Sequence, residues 1–210
     1  MSGVGSVLPQ RKSMFKSGIF TSDYVTELDG SQVEEKRVQP HGVELTIDKI
    51  FTVNGHSVVK DGDYYKGKRE EAPLNNGDTH LVKDNSKMPP MESIDSLSLE
   101  DYSNDELVEM EEPHYALQKG GYVVRYNEKI AVPNDHVGFV IPRSRLIRTG
   151  NNLSTAVWDS GYEGRGEGGL HIHNTCFMQK GMGIAQFVLA RAGVYEQYDG
   201  SHNKENLDND

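Results

Sequence analysis

Apolar and polar positions alternate at Val43, Leu45 and Ile47 behind the lead-in Gln39-Pro40-His41-Gly42, which predicts a half-buried strand. Asn54-Gly55 follows as a hairpin turn pair. Upstream, the apolar cluster Met14, Phe15, Ile19 and Phe20 has a spacing that suits a short helical turn or the start of a strand. From Gly121 onward, short runs rich in β-branched and aromatic residues succeed one another at 122–126, 130–132, 136–142, 170–173 and 184–189. Asn, Asp, Pro and Gly cut them at intervals of about 8–12 residues, a texture that favours an all-β sandwich, barrel or jelly roll over alternating β/α units. Residues 144–149 are the one stretch in this half that suits a short helix. No G-x-G-x-x-G and no Walker A sequence occurs, so neither a dinucleotide fold nor a P-loop is supported.

With 210 residues the chain has room for one globular unit and an extra segment. No run approaches ~18 apolar residues, and the start MSGVGSVLPQRKSMFKSG has no apolar stretch of signal-peptide length. A soluble, cytoplasmic protein without a membrane partner is expected. The single cysteine, Cys176, excludes an intramolecular disulfide and the His/Cys/Cys zinc site of one large class of nucleobase deaminases. The formal charge is −10, which argues against broad adhesion to nucleic acid. Residues 60–112 hold 15 acids and six bases, so nearly all of the imbalance sits in one internal stretch. Within it, residues 88–112 carry nine acids, no base and Pro89-Pro90, the composition of a solvated and weakly ordered insertion. It reads as a surface loop without chemistry or as an acidic lobe for an unknown partner, with room for a short helix around 97–110. The expected division is therefore an N-terminal segment with the first strands (1–59), an acidic, loop-rich insertion (60–113), the main β-domain (114–195) and a flexible tail (196–210).

Four pieces put polar residues where an ordinary β-protein does not require them. Pro142-Arg143-Ser144-Arg145-Leu146-Ile147-Arg148 sets three guanidinium groups and a hydroxyl at the end of a strand, which suits a polyphosphate, or pairing with the acidic insertion. Thr155-Ala156-Val157-Trp158-Asp159-Ser160-Gly161-Tyr162-Glu163-Gly164-Arg165-Gly166-Glu167 contains a turn that is either a plain hairpin or a site. Gly181-Met182-Gly183-Ile184-Ala185-Gln186-Phe187 places a glutamine, which must find partners, in an apolar strand. The polar tail from Tyr198 to Leu207 is either terminal disorder or a lid. His171 and His173 alternate on one strand without a convincingly spaced third ligand, and Cys176 and Trp158 read as packing residues.

In order and spacing, these pieces resemble the dUTPase and dCTP deaminase superfamily, in particular its archaeal-type dUTPase branch. The resemblance runs from about Gly121 to Leu207, with a weaker echo at 39–50, and skips the acidic stretch. It implies a mainly β, distorted jelly-roll-like dUTPase fold (β-clip) with few short helices, assembled as a homotrimer with shared active sites. It implies hydrolysis of dUTP to dUMP and pyrophosphate, which lowers dUTP and supplies dUMP for thymidylate synthesis, with Mg²⁺ held mainly by the substrate phosphates. Carried onto this sequence, Asp159 orients and deprotonates the attacking water. Ser144, Arg148 and Gln186 contact phosphates, Arg143 supports that loop, and Tyr162 lies against the deoxyribose. The backbone from Thr155 to Asp159 reads the uracil edge, and a closing tail would bring Tyr198, Ser201 and Lys204 to substrate. Arg145 stands where relatives often have Ser, a long cation in place of a small donor that either strengthens phosphate binding or displaces it. Two alternatives remain. In dCTP deaminase relatives, alone or bifunctional, a glutamate shuttles protons where this chain has His171, with Glu163 and Glu167 nearby. A non-catalytic nucleotide-binding or scaffold protein would dispense with Asp159 and Tyr162, both of which are present.

Overall fold

Gly42 opens the longest strand at φ +114°, and a Cβ there would fall 2.1 Å from the Phe187 carbonyl oxygen, so only glycine fits. The computed structural model describes residues 14–60, 63–76, 79–81, 107–109, 112–193 and 197–207. Its main strands are β1 (Gly42–Asn54), β2 (Gly120–Tyr126), β3 (His136–Pro142), β4 (Asn152–Ser154), β5 (Val157–Trp158), β6 (Glu167–Ile172) and β7 (Gly183–Arg191). They hydrogen-bond antiparallel in the order β4-β6-β2-β1-β7-β3-β5, and Val38–Gln39 and Lys68–Glu71 add to β1 to complete a nine-stranded sheet.

β1 belongs to both halves of this curled sheet. Its first residues, Val43 to Thr46, pair with β7 and its later ones, Ile47 to Thr52, with β2. Between Lys49 and Ile47 the register with β2 slips by one residue, which leaves Asp48 as a bulge and bends the strand. The bulge also shifts the buried phase: Val43, Leu45 and Ile47 are fully buried as the alternation predicts, and the next fully buried position is Ile50. These side chains join Tyr115, Val124, Tyr126, Ile130, Leu170, Ile184, Phe187 and Leu189 in one core.

The first helix, α1 (Gly18–Ser22), is capped by the Ser17 hydroxyl, which accepts from the Phe20 N–H at 3.3 Å, while Phe15 makes a β-bridge with Ala190. The second, α2 (Ser144–Arg148), lies where the sequence predicts it. Asn54-Gly55 does not close the expected hairpin. Gly55 turns with φ +83°, but residues 51–54 pair with Lys68–Glu71, because a separate hairpin, Val58–Lys60 with Asp63–Tyr65, is spliced between them. Residues 107–109 pair as a strand with Thr79–Leu81 rather than entering the expected helix, and the rest of that helix lies outside the described residues. Among the described residues no helix is long and apolar enough to cross a membrane.

A polar cluster around Glu128 is buried in this fold. The Glu128 carboxylate, fully buried, accepts from the Thr46 N–H at 3.0 Å and the Thr46 hydroxyl at 2.6 Å and pairs with Arg37, which also donates to Glu27 at 2.6 Å. This ties the 34–37 turn to β1.

Candidate active site

The cationic piece starts where β3 ends. The Arg143 N–H donates to the Ile184 carbonyl at 3.0 Å, and its guanidinium pairs with Glu44 of β1. Buried Leu146 pins α2 to the core, so Ser144, Arg145 and Arg148 stand in solvent. Burial first, and then the neighbouring Arg145 charge, lower the Arg143 pKa from its ordinary value. On β7, Gln186 lies opposite Ile141 and Glu44, half-buried, with its amide donating to the His41 carbonyl. This half-buried Gln thus has its partner, and Arg143, Gln186 and α2 share one end of the sheet.

The Asp159 turn lies at the other end of β3. Gly161, with φ +85°, occupies the third position of a turn closed by the Tyr162 N–H to the Asp159 carbonyl at 3.1 Å. The Ser160 hydroxyl donates to the His136 carbonyl at 2.5 Å, and the Gly161 N–H to the Val132 carbonyl at 3.0 Å, so the turn is clamped on both flanks. The Thr155 hydroxyl is committed to the Val140 carbonyl at 2.7 Å. Trp158 packs edge-on to Tyr162 with ring centroids 5.0 Å apart, and its ring covers Gly166, where a Cβ would fall 2.2 Å away.

Beside the turn opens a cavity of about 370 Å³, lined among others by Asp159, Trp158, Tyr162, Glu167 and Tyr198. Its carboxylates are unequal. Glu167 accepts from Arg69 at 2.6 Å and from Arg125 at 3.2 Å, one guanidinium on each oxygen. Glu205 accepts from the Tyr162 hydroxyl at 3.0 Å and faces His202 Nδ1 at 3.0 Å. Among the described residues, Asp159 is the lining carboxylate whose side chain makes neither a hydrogen bond nor an ion pair. It is exposed, and open to water.

The tail lies against this turn. The Tyr198 N–H donates to the Ser160 carbonyl at 2.8 Å, the Lys204 N–H to the Glu163 carbonyl at 2.5 Å, and the Arg165 N–H to the Glu205 carbonyl at 3.0 Å. Of the three expected tail contacts, Tyr198 lines the cavity, while Ser201 and Lys204 lie outside its lining and His202 and Glu205 are in it. Thr155 is also outside the lining, its neighbours Ala156 and Val157 inside. Lys66 and Arg69 complete the wall from the stretch read as an acidic insertion. No local pattern marks them, since they reach the cavity only because Lys68–Glu71 pairs with β1. His171 lies outside the lining and shares a hydrogen bond of 2.9 Å with the Ser154 hydroxyl.

One chain does not join the two groups. Trp158 pairs with Gly138, whereas Arg143 follows Pro142 at the far end of the same strand, a separation of roughly 16 Å at ~3.3 Å per residue. Among the described residues, no group of three or more His, Cys, Asp or Glu could hold a metal ion.

The family described as dCTP deaminase-like matches the chain over residues 17–192. A probable deoxyuridine 5'-triphosphate nucleotidohydrolase of Halobacterium salinarum is 33% identical over 195 residues, 93% of this chain and 97% of the relative. The deoxyuridine 5'-triphosphate nucleotidohydrolase of Methanocaldococcus jannaschii is 31% identical over 168 residues, 78% of this chain and 87% of the relative. In fold, the chain is similar to the 2'-deoxycytidine 5'-triphosphate deaminase of Agrobacterium tumefaciens, with a TM-score of 0.52 at 14% identity. That likeness covers 87% of this chain and 49% of the other, so the chain spans about half the length of that enzyme. By the family match over residues 17–192 and the relative at 33% identity over 93% of the chain, and in keeping with its mainly β curled sheet, the chain belongs to the dCTP deaminase-like family.

Proposed function

We propose that this protein hydrolyses dUTP to dUMP and pyrophosphate, as a cytoplasmic homotrimer whose active sites are shared between subunits. The observation that carries the reading is Asp159, an exposed carboxylate without a side-chain partner among the described residues, on a clamped turn beside an aromatic-walled cavity. The two relatives named above support the substrate. An ionised carboxylate of this kind can take the proton of a water attacking in line at the α-phosphorus. Tyr162 lies against the deoxyribose, the 155–159 backbone reads the uracil edge, and Tyr198 closes the wall. Ser144, Arg145, Arg148 and Gln186 of a neighbouring copy hold the phosphate oxygens and stabilise the charge that develops there, with Arg143 held by Glu44 to support the loop. The distance between the two groups in one chain supports this sharing. Ser201 and Lys204 reach substrate only if the tail moves.

The donor set fits a magnesium ion carried in with the substrate. A hard cation takes about six oxygens, and the cavity offers Asp159 with two carboxylates already engaged, so phosphates and water supply most of the ligands. Bound there, the ion gathers phosphate charge. Deamination at C4 needs a proton shuttle, and the candidates are committed: Glu167 to two arginines, Glu163 to Lys129 and His171 to Ser154, the last two outside the cavity lining. This supports hydrolysis over deamination. Incubation with dUTP, dCTP, dTTP and UTP, with and without Mg²⁺, tests the reading when products are resolved by chromatography. Expected are dUMP and pyrophosphate from dUTP with Mg²⁺. A uracil nucleotide from dCTP would establish deamination instead, and no product from any substrate would leave the non-catalytic reading.

A further inference from the structure

The Tyr162 ring is 6% exposed, and its hydroxyl is met by a residue from the far end of the chain. Glu205 Oε1 accepts from that hydroxyl at 3.0 Å while His202 Nδ1 lies 3.0 Å from Oε2. The position of Glu205 is set by its own main chain, whose carbonyl accepts from the Arg165 N–H at 3.0 Å. The flanking residues repeat the contact: Asn206 Nδ2 donates to the Arg165 carbonyl at 2.8 Å, and the Glu163 N–H to Asn203 Oδ1 at 3.0 Å. Close approach is obligatory here, since a Cβ on Gly164 would fall 2.8 Å from the Tyr162 hydroxyl and 3.2 Å from the Glu205 backbone. On its other sides the ring meets Trp158 at 5.0 Å and Tyr198 at 6.0 Å, both edge-on. Burial, and then the facing Glu205 carboxylate, push the Tyr162 pKa far above its ordinary value, so the hydroxyl remains a donor.

We infer that Glu205 is a positioning residue, which through the Tyr162 hydroxyl fixes the aromatic wall that selects the sugar of the nucleotide; this rests on the dUTP reading of the same cavity. Three facts support a role beyond tail packing. Glu205 and Tyr162 line one cavity with Asp159. Tyr162 closes the turn that carries Asp159. The hydrogen bond joins a charged acceptor to a buried donor, the kind whose loss costs most. A ring free to swing would admit a 2'-hydroxyl that the fixed ring excludes.

The test compares Glu205→Ala, which removes the acceptor, with Glu205→Gln, which keeps an amide oxygen in the same place, each in the full chain. With Glu205→Ala, selectivity for dUTP over UTP should fall about tenfold, with the loss in dUTP turnover falling mainly on KM. Glu205→Gln should recover most of it. In a Tyr162→Phe background Glu205→Ala should add nothing, because the route through the hydroxyl is already gone. An equal loss in that background, or failure of Glu205→Gln to recover selectivity, overturns the proposal. Trp158, the single tryptophan, gives a readout independent of activity. Its quenching by acrylamide in the unliganded protein should rise with Glu205→Ala and return with Glu205→Gln. Unchanged quenching overturns the positioning role even if dUTP is hydrolysed. A wild-type protein inert towards dUTP, with quenching as expected, removes the dUTP reading and the sugar selectivity built on it, and leaves the Glu205–Tyr162 contact standing.

Discussion

Asp159 and Glu128 are two carboxylates whose surroundings set opposite roles. Asp159 stands open beside the cavity, and its replacement by Asn preserves shape and removes the proposed base. Turnover of dUTP should fall by ~10²–10⁴-fold, while calorimetry with a non-hydrolysable dUTP analogue still registers binding. Glu128 is enclosed, with two hydrogen bonds from Thr46 and an ion pair to Arg37. Burial raises its pKa above the ordinary value, against the Arg37 charge and the Thr46 donors that lower it. Glu128→Ala leaves the Thr46 donors without their acceptor and Arg37 with Glu27 as its one remaining carboxylate, and should cost ~1–3 kcal/mol in urea unfolding, with Glu128→Gln costing less because an acceptor remains for Thr46.

At the scale of elements, β5 and the turn behind it depend on two contacts that can each be removed. Gly166→Ala would drive a methyl group into the Trp158 ring. It should destabilise the fold by ~1–3 kcal/mol and shift the Trp158 emission to the red as the ring is displaced. Glu163 begins the short strand Glu163–Gly164 and is hydrogen-bonded by Lys129 at 2.5 Å, which holds its carboxyl below the ordinary 4.5. A lowered folded-state pKa gives stability that is present above the ordinary value and is lost as the pH falls through the lowered one. Lys129→Met should therefore flatten the acid-side loss of stability that sets in as the pH falls below the ordinary 4.5, by less than ~1 kcal/mol for so exposed a pair. Thermal unfolding across that range reads the effect. Among the elements, the alternation at Val43, Leu45 and Ile47 was legible because each residue reports its own face, and so was α2. The change of phase at Ile50 was not, since it comes from the bulge at Asp48, which exists only once β2 is paired to β1.

For the whole molecule, the spacing between Asp159 and α2 makes subunit sharing a question of complementation. Asp159→Asn and Arg148→Ala chains, each inactive alone, should regain activity when unfolded together and refolded. With random assembly, about a quarter of the sites combine two intact halves. Activity no greater than that of the separate variants would place each site within one subunit. The candidate site residues were legible along the chain as candidates, because the turn Asp159-Ser160-Gly161-Tyr162 and the cationic Arg143–Arg148 stretch are each continuous pieces whose residue types survive any fold. The β texture, the short helix at α2 and the family resemblance rest on the same kind of local information. Only the tertiary structure brought Arg69 to Glu167, 98 residues away, and Glu205 to Tyr162, 43 residues away. It thereby set Lys66 and Arg69 in the wall of the cavity and left Asp159 as the open lining carboxylate among the described residues. Periodicity tells which face of a strand is buried; which strands become neighbours is decided by the order in which the sheet pairs, and with it the partner of every long side chain at its edge.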